Sequence, residues 1–184
     1  IAEAVSKQLR ELDFVLPFNQ GFGGSFELAT RIAKHTPGDL NKIFYTICGS
    51  TAVDSAIKIA MAYHAAKSNK KRFRFVGRDR GYQGMNIGGL SVGGFNNYKE
   101  MCASVLMPGV QHMRHTLLPE HKFIKGQPDT GAELADDLEL IANKFEGEIA
   151  ACIVEPIAGS TGILVPPKGY LNRLRKICDK HGIL

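Results

Sequence analysis

The sequence predicts an α/β domain in which a mostly parallel sheet is flanked by helices. Short apolar runs alternate with segments whose apolar residues recur at helical spacing. The run Glu148–Val154 is almost continuously apolar, which is typical of a strand buried on both faces of a parallel sheet. The 184 residues suffice for one domain with its own core. This alternation favours a layered α/β architecture.

Residues 1–38 are predicted to form a helical lead-in and a loop that contains glycines. Pro17–Gly24 is the predicted loop, and Ser25 is placed to cap a second helix that ends near residues 35–38. We predict that residues 39–184 belong to a larger domain. The apolar face of the opening helix comprises Ile1, Ala4, Val5, Leu9 and Leu12.

A predicted strand, a tight turn and a helix follow one another near the start of that domain. Phe44–Ile47 is β-branched and aromatic, which predicts a short buried strand. Gly49 and Ser50 lie in the turn, and apolar spacing predicts a helix over residues 52–63. Such a helix start presents unpaired backbone N–H groups and a positive dipole end to an anion such as phosphate. The alternative is that Ser50 only caps the helix.

The rest of the chain continues the alternation. Phe73–Val76 is predicted to be a strand, Gly77–Gly94 a shaped glycine-rich loop, and Met107–Gln127 an irregular segment. Two more helices are predicted from their apolar faces. The first face carries Leu134, Leu138, Ile141 and Phe145, and the last carries Tyr170, Leu171, Leu174, Ile177 and Cys178.

Charge and composition narrow the function classes. The net charge is +5, but the basic residues are dispersed apart from the cluster at residues 69–72, which we interpret as a solvated turn. No basic face with interleaved aromatic residues is present, so we expect no nucleic-acid partner. The sequence contains no apolar run of membrane-spanning length and no signal-peptide pattern, so we expect a cytoplasmic protein without membrane contact.

The cysteines and histidines predict no metal site. The cysteines form no C-x-x-C pair, and we expect them to be reduced, mostly buried thiols. His112, His115 and His121 lie close in sequence, but no carboxylate or thiol at ligand spacing completes a metal centre. The chain also begins within a helical pattern and ends in what reads as the start of a strand, so we expect an internal piece of a longer protein.

Three predicted strand ends carry residues suited to one ligand. In an open α/β sheet the binding site lies beyond the carboxyl ends of the strands. Ser50, Tyr82 and Glu155 follow three such ends and would supply a phosphate site, an aromatic platform and a carboxylate. The alternatives are that Tyr82 is a packed surface aromatic and that Glu155 is a solvated loop residue.

These segments resemble a known family. Cys48–Ala60 resembles the phosphate-binding segment of class III aminotransferases, which are fold type I enzymes of pyridoxal 5′-phosphate. Gly81–Asn86 resembles their loop with a ring-stacking aromatic, and Val154–Leu171 resembles their Glu-Pro segment and the helix after it. The similarity runs along the whole chain and is closest to the ω-amino acid (β-alanine):pyruvate branch.

The resemblance implies a role for each site residue. Gly49 and Ser50 would hold the cofactor phosphate, Tyr82 would stack on the pyridine ring, and Glu155 would orient groups beside it. The parent enzyme would move an amino group from an ω-amino acid or amine to pyruvate and would form a homodimer or homotetramer. The chain would be part of the large cofactor-binding domain, with the Schiff-base lysine and the aspartate of the pyridine nitrogen beyond Leu184.

The sequence departs from the family pattern at two positions. Thr51 stands where the family usually has an acidic residue, and Gln83 stands where it has histidine. Because the amide of Gln83 does not titrate near neutral pH, it cannot replace a charged imidazole. Two alternatives stay open at this point: a non-catalytic phosphate- or nucleotide-binding module, and a fold type I decarboxylase, mutase or racemase.

Overall fold

The computed structural model describes residues 1–16 and 18–184. The chain forms two compact units, Ile1–Tyr45 and Thr46–Leu184, and each is described by itself. Pro17, the first residue of the predicted loop, lies outside the described residues.

The first unit contains two helices, α1 (Ala2–Glu11) and α2 (Gly23–Ala33), and neither buries a side chain within the described residues. The prediction that Ser25 caps α2 is wrong. Phe22 is the N-cap residue, and the Ser25 hydroxyl, already inside the helix, donates a hydrogen bond to the Phe22 carbonyl at 2.7 Å.

The second unit is built on a parallel three-stranded sheet with the order β2-β1-β3. Its strands are β1 (Arg74–Arg78), β2 (Gln111–Met113) and β3 (Ile149–Cys152). Leu184 pairs with the other edge of β3, because its N–H donates to Ala150 and its carbonyl accepts from Cys152. The predicted parallel α/β fold is confirmed.

Helices cover both faces of this sheet. Because successive strand residues point to opposite faces, Phe75 and Val76 of β1 belong to different core clusters. The Phe75 cluster includes residues of α3 (Gly49–Ala66) and α4 (Ile87–Val92), and the Val76 cluster includes residues of α6 (Asp136–Lys144) and α7 (Tyr170–His181). The remaining helical segments are α5 (Asn96–Met101) and the 3₁₀ turns Ala103–Val105, Pro119–His121 and Ala132–Ala135.

The predicted buried strand Phe44–Ile47 does not form. None of its residues has strand geometry, and Phe44 and Ile47 are 69% and 94% exposed. A strand needs a neighbouring strand to satisfy its backbone groups, and no ladder partner for this segment exists among residues 1–16 and 18–184. The β-branched and aromatic residues of this segment favour an extended backbone, but they do not supply the neighbouring strand that a sheet requires.

Two segments predicted as loops contain regular structure. The stretch 77–94 includes the last residues of β1 and all of α4, whose residues Gly88–Val92 are buried. The stretch 107–127 includes β2 and a 3₁₀ turn. An almost fully buried helix shows no apolar–polar periodicity, and a strand of three residues is too short to show any.

The longer predicted helices are confirmed. α3 extends beyond the predicted residues 52–63 at both ends and buries Ile57 and Ala60. α6 and α7 bury the apolar residues predicted for them at Leu138, Leu174 and Ile177.

Candidate active site

A cavity of about 310 Å³ lies where α3 begins, beyond the end of β1. It brings together three of the four predicted site residues, which come from two segments far apart in sequence. The residues that line it are Cys48, Gly49, Ser50, Val53, Tyr82, Gln83 and Gly84. Glu155 does not line the cavity but contacts the Tyr82 segment directly.

The N-terminus of α3 faces this cavity without a side-chain cap. Cys48 is the N-cap residue and makes no capping hydrogen bond. A Cβ atom built on Gly49 would meet no atom of residues 1–16 and 18–184 within 4 Å, so packing in the described part of the chain does not require glycine there. An open helix N-terminus without a side chain over it suits a phosphate, which backbone N–H groups approach closely.

The Ser50 hydroxyl lies one residue into α3 and does not cap it. Its oxygen accepts a hydrogen bond from the Met85 N–H at 3.1 Å. The alternative in which Ser50 only caps the helix is therefore wrong. A hydroxyl can donate one hydrogen bond while it accepts another, so the Ser50 O–H can still donate to an anion in the cavity.

Gly84 allows the Tyr82 segment to approach α3. It has φ +96°, and a Cβ atom on it would lie 2.6 Å from Ser50 Oγ and 2.8 Å from Ser50 Cα. Only glycine satisfies both the backbone conformation and the close contact. The spacing Gly81-x-x-Gly84 was visible in the sequence, but the contact with Ser50 was not.

The Tyr82 ring borders the cavity and is partly exposed, at 40%. Phe95 packs against it edge to face, with 5.7 Å between ring centroids and an interplanar angle of 84°. Tyr82 is thus packed on one side and accessible on another. Sequence reasoning missed the Phe95 contact, since nothing in its local pattern marks it as a neighbour of Tyr82.

Glu155 follows β3 and joins two loops. One carboxylate oxygen accepts the Tyr82 N–H at 2.7 Å, and the other accepts the Gly159 N–H at 3.0 Å. The alternative of a merely solvated loop residue is wrong, because both oxygens are used by backbone donors. The carboxylate fixes the backbone of Tyr82 relative to the end of β3.

Cys48 places a free thiol at the edge of the cavity. The side chain is exposed, and its Sγ lies 3.3 Å from the Thr51 hydroxyl. The Thr51 hydroxyl, followed by the nearby backbone N–H groups of Thr51 and Ser50, favours the thiolate and so lowers the pKa of the Cys48 thiol. Thr51, one of the two departures from the family pattern, thus bonds to the N-cap residue.

Two further residues, Asp54 and Gln83, lie close to the cavity. Asp54, one turn into α3, accepts the Gly89 N–H at 3.1 Å and ties α3 to α4. Gln83, the second departure from the family pattern, is buried at 9% exposure beneath the cavity. Asp54 was not predicted, because a carboxylate in a helix is ordinarily a surface residue.

Other predictions concern groups away from the cavity. All four cysteines are free thiols, but the expectation that most of them are buried is wrong, because Cys48 is exposed, Cys102 and Cys152 are half-buried and Cys178 alone of the four is buried. Within residues 1–16 and 18–184, no cluster of three or more histidine, cysteine or acidic side chains is arranged to hold a metal ion. In the same part of the chain, every helix is too short or too polar to cross a membrane.

Sequence comparison identifies one family over the whole chain. The sequence profile of the family described as aminotransferase class-III matches residues 1–184. An omega-aminotransferase of Caulobacter vibrioides is 52% identical over the whole chain, and a beta-alanine–pyruvate aminotransferase of Pseudomonas aeruginosa is 46% identical. The chain spans 42% and 41% of the length of these two relatives.

Solved structures agree with the sequence comparison. An omega transaminase from Pseudomonas jessenii in complex with PMP matches the whole chain with a TM-score of 0.89 and 28% identity. An (S)-enantioselective omega-transaminase from Thermomicrobium roseum matches it with a TM-score of 0.88 and 33% identity. The chain covers 41% of each of these two structures.

Proposed function

The chain belongs to the class III aminotransferases, and from this we propose that it forms part of a pyridoxal 5′-phosphate enzyme that transfers an amino group from an ω-amino acid or amine, such as β-alanine, to pyruvate. The names of the relatives from Caulobacter vibrioides and Pseudomonas aeruginosa support this reaction. Because the chain spans 42% and 41% of those relatives, the activity is proposed for the whole protein. Residues 39–184 are proposed to be part of its cofactor-binding domain.

One observation carries the assignment to this part of the chain: Gly49, Ser50 and Tyr82 line the same cavity. The open helix start at Gly49 and the free hydroxyl hydrogen of Ser50 suit the phosphate of the cofactor. The accessible side of Tyr82 suits its flat ring, since offset aromatic stacking contributes about 1 kcal/mol beyond the buried area. The donor set therefore fits a phosphate joined to an aromatic ring.

Glu155 is proposed to orient this platform rather than to react. Its two oxygens hold the backbone of Tyr82 and of Gly159, so the carboxylate has a structural use that the reaction does not disturb. When bound, pyridoxal phosphate supplies the conjugated ring that withdraws electrons from the carbon bearing the transferred amine. The residues of this chain bind and orient that ring.

We assign no catalytic residue to this chain. The nucleophilic lysine and the aspartate expected by resemblance are proposed to lie after residue 184. Lys168 is exposed and pairs with Asp129, and Lys58 is exposed on α3. We therefore assign both lysines as solvated surface groups.

We also propose an oligomeric state and a cellular location for the whole protein. We propose a homodimer or homotetramer, supported by the exposed apolar side chains of α1 and α2 such as Val5, Leu9 and Phe26. A cytoplasmic location is proposed on the four free thiols, since reducing compartments preserve them. Mass measurement by light scattering tests the first proposal, and only monomers at micromolar concentration would contradict it.

The reaction is tested with the full-length protein that contains this chain. Purified protein, loaded with pyridoxal phosphate, is incubated with β-alanine and pyruvate, and alanine is quantified by chromatography. We expect alanine to form only when cofactor, amine and pyruvate are all present. Release of carbon dioxide without alanine would assign the protein to a decarboxylase, and failure to bind the cofactor would refute the proposed function.

A further inference from the structure

Arg78, the last residue of β1, is a buried cation that forms no ion pair with any described residue of the chain. Its side chain is 2% exposed, and it is among the largest fully buried side chains of the molecule. Within the described residues no carboxylate lies close enough to form a salt bridge with it, and its Nη1 atom has no hydrogen-bond partner. Burial of a guanidinium is unfavourable unless its remaining bonds are well placed.

The hydrogen bond that Arg78 makes goes to the backbone of Glu155. Its Nη2 donates to the Glu155 carbonyl at 2.8 Å. The guanidinium carbon also lies 5.7 Å from the ring centroid of Tyr170, a fully buried residue of α7. The aromatic ring and the carbonyl together fix the orientation of the guanidinium, and lysine would lack its planar shape.

Glu155, whose carbonyl is held by Arg78, is hydrogen-bonded through its carboxylate to two loops. Its carboxylate accepts the N–H groups of Tyr82 and Gly159. The Arg78 carbonyl itself accepts the Gly81 N–H, which closes the turn that leads into Tyr82. Arg78 is therefore linked to the Tyr82 segment in two ways. Its own carbonyl binds the Gly81 N–H directly, and its guanidinium binds Glu155, which in turn binds the Tyr82 N–H.

We propose that Arg78 is a positioning residue of the cofactor site: through the Glu155 backbone it sets where the carboxylate holds Tyr82. The inference rests on the proposed function in that Tyr82 is taken to face the cofactor ring. It goes further by naming a buried residue that touches neither cofactor nor substrate. Two substitutions test it, Arg78→Lys, which keeps the charge, and Arg78→Met, which keeps only the apolar stem.

Amide hydrogen exchange in the cofactor-free full-length protein measures the positioning directly. The Tyr82 and Gly159 amides report the bonds to Glu155, while the Met85 amide reports the bond to Ser50 in the same loop. We expect both substitutions to speed exchange at Tyr82 and Gly159 about tenfold, with Met85 unchanged. Unchanged exchange at Tyr82 and Gly159, or the same acceleration throughout the sheet, would overturn the proposal.

Cofactor affinity supplies a second readout. Because Arg78 acts on the ring side of the site, Arg78→Lys is expected to weaken pyridoxal phosphate binding about tenfold. Inorganic phosphate bound at Gly49 and Ser50 is expected to shield the neighbouring Cys48 thiol from an alkylating reagent. Because Arg78→Lys leaves Gly49 and Ser50 untouched, phosphate should shield Cys48 equally well in this variant and in the natural protein. Equal weakening of both ligands would overturn the proposal in favour of a general structural defect.

A variant that combines substitutions of Arg78 and Glu155 tests whether Arg78 affects cofactor binding through Glu155 or independently of it. If Arg78 acts through Glu155, then Arg78→Lys combined with Glu155→Gln should bind the cofactor no more weakly than Glu155→Gln alone. Additive losses would overturn the proposal. Arg173→Met, which removes an exposed arginine paired with Asp136, is the matched control.

The tests remain decisive if one variant or the parent assignment fails. Where Arg78→Met does not fold, as judged by circular dichroism, Arg78→Lys carries the measurement. If the natural protein binds no pyridoxal phosphate, the proposed function fails, whereas amide exchange at Tyr82 and Gly159 still decides whether Arg78 positions that loop.

Discussion

The carboxylate of Glu155 lies 2.7 Å from the backbone nitrogen of Tyr82, 73 residues earlier in the chain. This hydrogen bond links the ends of β3 and β1 and fixes the aromatic residue that borders the cavity. The second oxygen accepts the Gly159 N–H, so the carboxylate serves two backbone donors at once.

Replacing Glu155 by glutamine tests that double role. An amide has one acceptor oxygen, and its NH₂ group cannot accept, so one of the two backbone donors loses its partner. We expect Glu155→Gln to raise the Kd for pyridoxal phosphate about tenfold, measured by absorbance titration of the full-length protein. Glu146→Gln, at an exposed position in the turn before β3, is the control. Identical affinities for the two variants would contradict the role of Glu155.

Two glycines of the cavity are expected to respond oppositely to alanine. Gly84→Ala forces a Cβ atom to 2.6 Å from Ser50 Oγ at a positive φ, so it should destabilise the protein by about 1–2 kcal/mol or more. Gly49→Ala meets no neighbour within 4 Å and should leave the free energy of unfolding nearly unchanged. Urea unfolding of the full-length protein measures both.

Gly49→Ala, which should hardly change stability, is expected to change cofactor affinity. A methyl group on Gly49 would occupy the open space over the helix start and hinder the phosphate. We therefore expect Gly49→Ala to weaken pyridoxal phosphate binding while it retains stability. A stable Gly49→Ala protein with natural affinity would remove Gly49 from the site.

The thiols are expected to differ in reactivity. Hydrogen bonds from Thr51 lower the pKa of the exposed Cys48 thiol, whereas the hydrogen bond with Cys178 and burial raise the pKa of Cys152. Cys48 should therefore be alkylated first by iodoacetamide near neutral pH and Cys152 last, as followed by mass spectrometry of tryptic peptides. Pyridoxal phosphate should slow the reaction at Cys48 alone. Alkylation of Cys48 at the same rate with saturating cofactor would contradict this placement.

His112 predicts a pH dependence of stability. Burial and the nearby charge of Lys99 lower its pKa below the ordinary 6.5, although the hydrogen bond with the Gly93 carbonyl and the charge of Asp79 oppose the shift. Nε2 lies 2.8 Å from the Gly93 carbonyl and 2.9 Å from Lys99 Nζ. Because the unfolded chain binds the proton more readily, the stabilising contribution is present above pH 6.5 and is lost as pH falls toward the lowered pKa.

The test compares unfolding free energies between about pH 5 and 7, the range in which an ordinary histidine titrates. His112→Gln keeps a donor for Gly93 but cannot be protonated, so its stability should fall less steeply with acid than that of the natural protein. His35→Gln, at an exposed position, is the control and should follow the natural profile. Parallel profiles for His112→Gln and the natural protein would contradict the prediction.

Sequence patterns located much of the cavity, although the strand predicted before Ser50 does not form and only Tyr82 and Glu155 follow observed strands. Ser50 and Tyr82 were grouped by a general property of α/β sheets, and they do line one cavity. Glu155 was grouped with them and contacts the Tyr82 backbone instead of the cavity itself. The grouping at the sheet edge was thus predictable, while the separate roles of Tyr82 and Glu155 depend on a contact between segments 73 residues apart.

The failures have physical causes. Phe44–Ile47 has the composition of a strand but no hydrogen-bonding neighbour among the described residues, and composition does not reveal pairing. α4 is buried on nearly all sides and therefore lacks a periodic pattern. Arg78 was missed because arginine is ordinarily a surface residue, and its carbonyl partner at Glu155 lies 77 residues away.

The most direct test of the cofactor site is to titrate pyridoxal phosphate and pyridoxal separately into the full-length protein and into Ser50→Ala and Tyr82→Ala, with Ser55→Ala on the same helix as control. Ser50→Ala should weaken pyridoxal phosphate about tenfold and leave pyridoxal unchanged, because only the phosphate uses the hydroxyl as a donor, while the loss of the Met85 N–H partner is the same in both titrations. Tyr82→Ala should weaken both ligands, because it removes the contact with the ring. If both variants bind both ligands like the natural protein, the cavity at Gly49, Ser50 and Tyr82 is not the cofactor site.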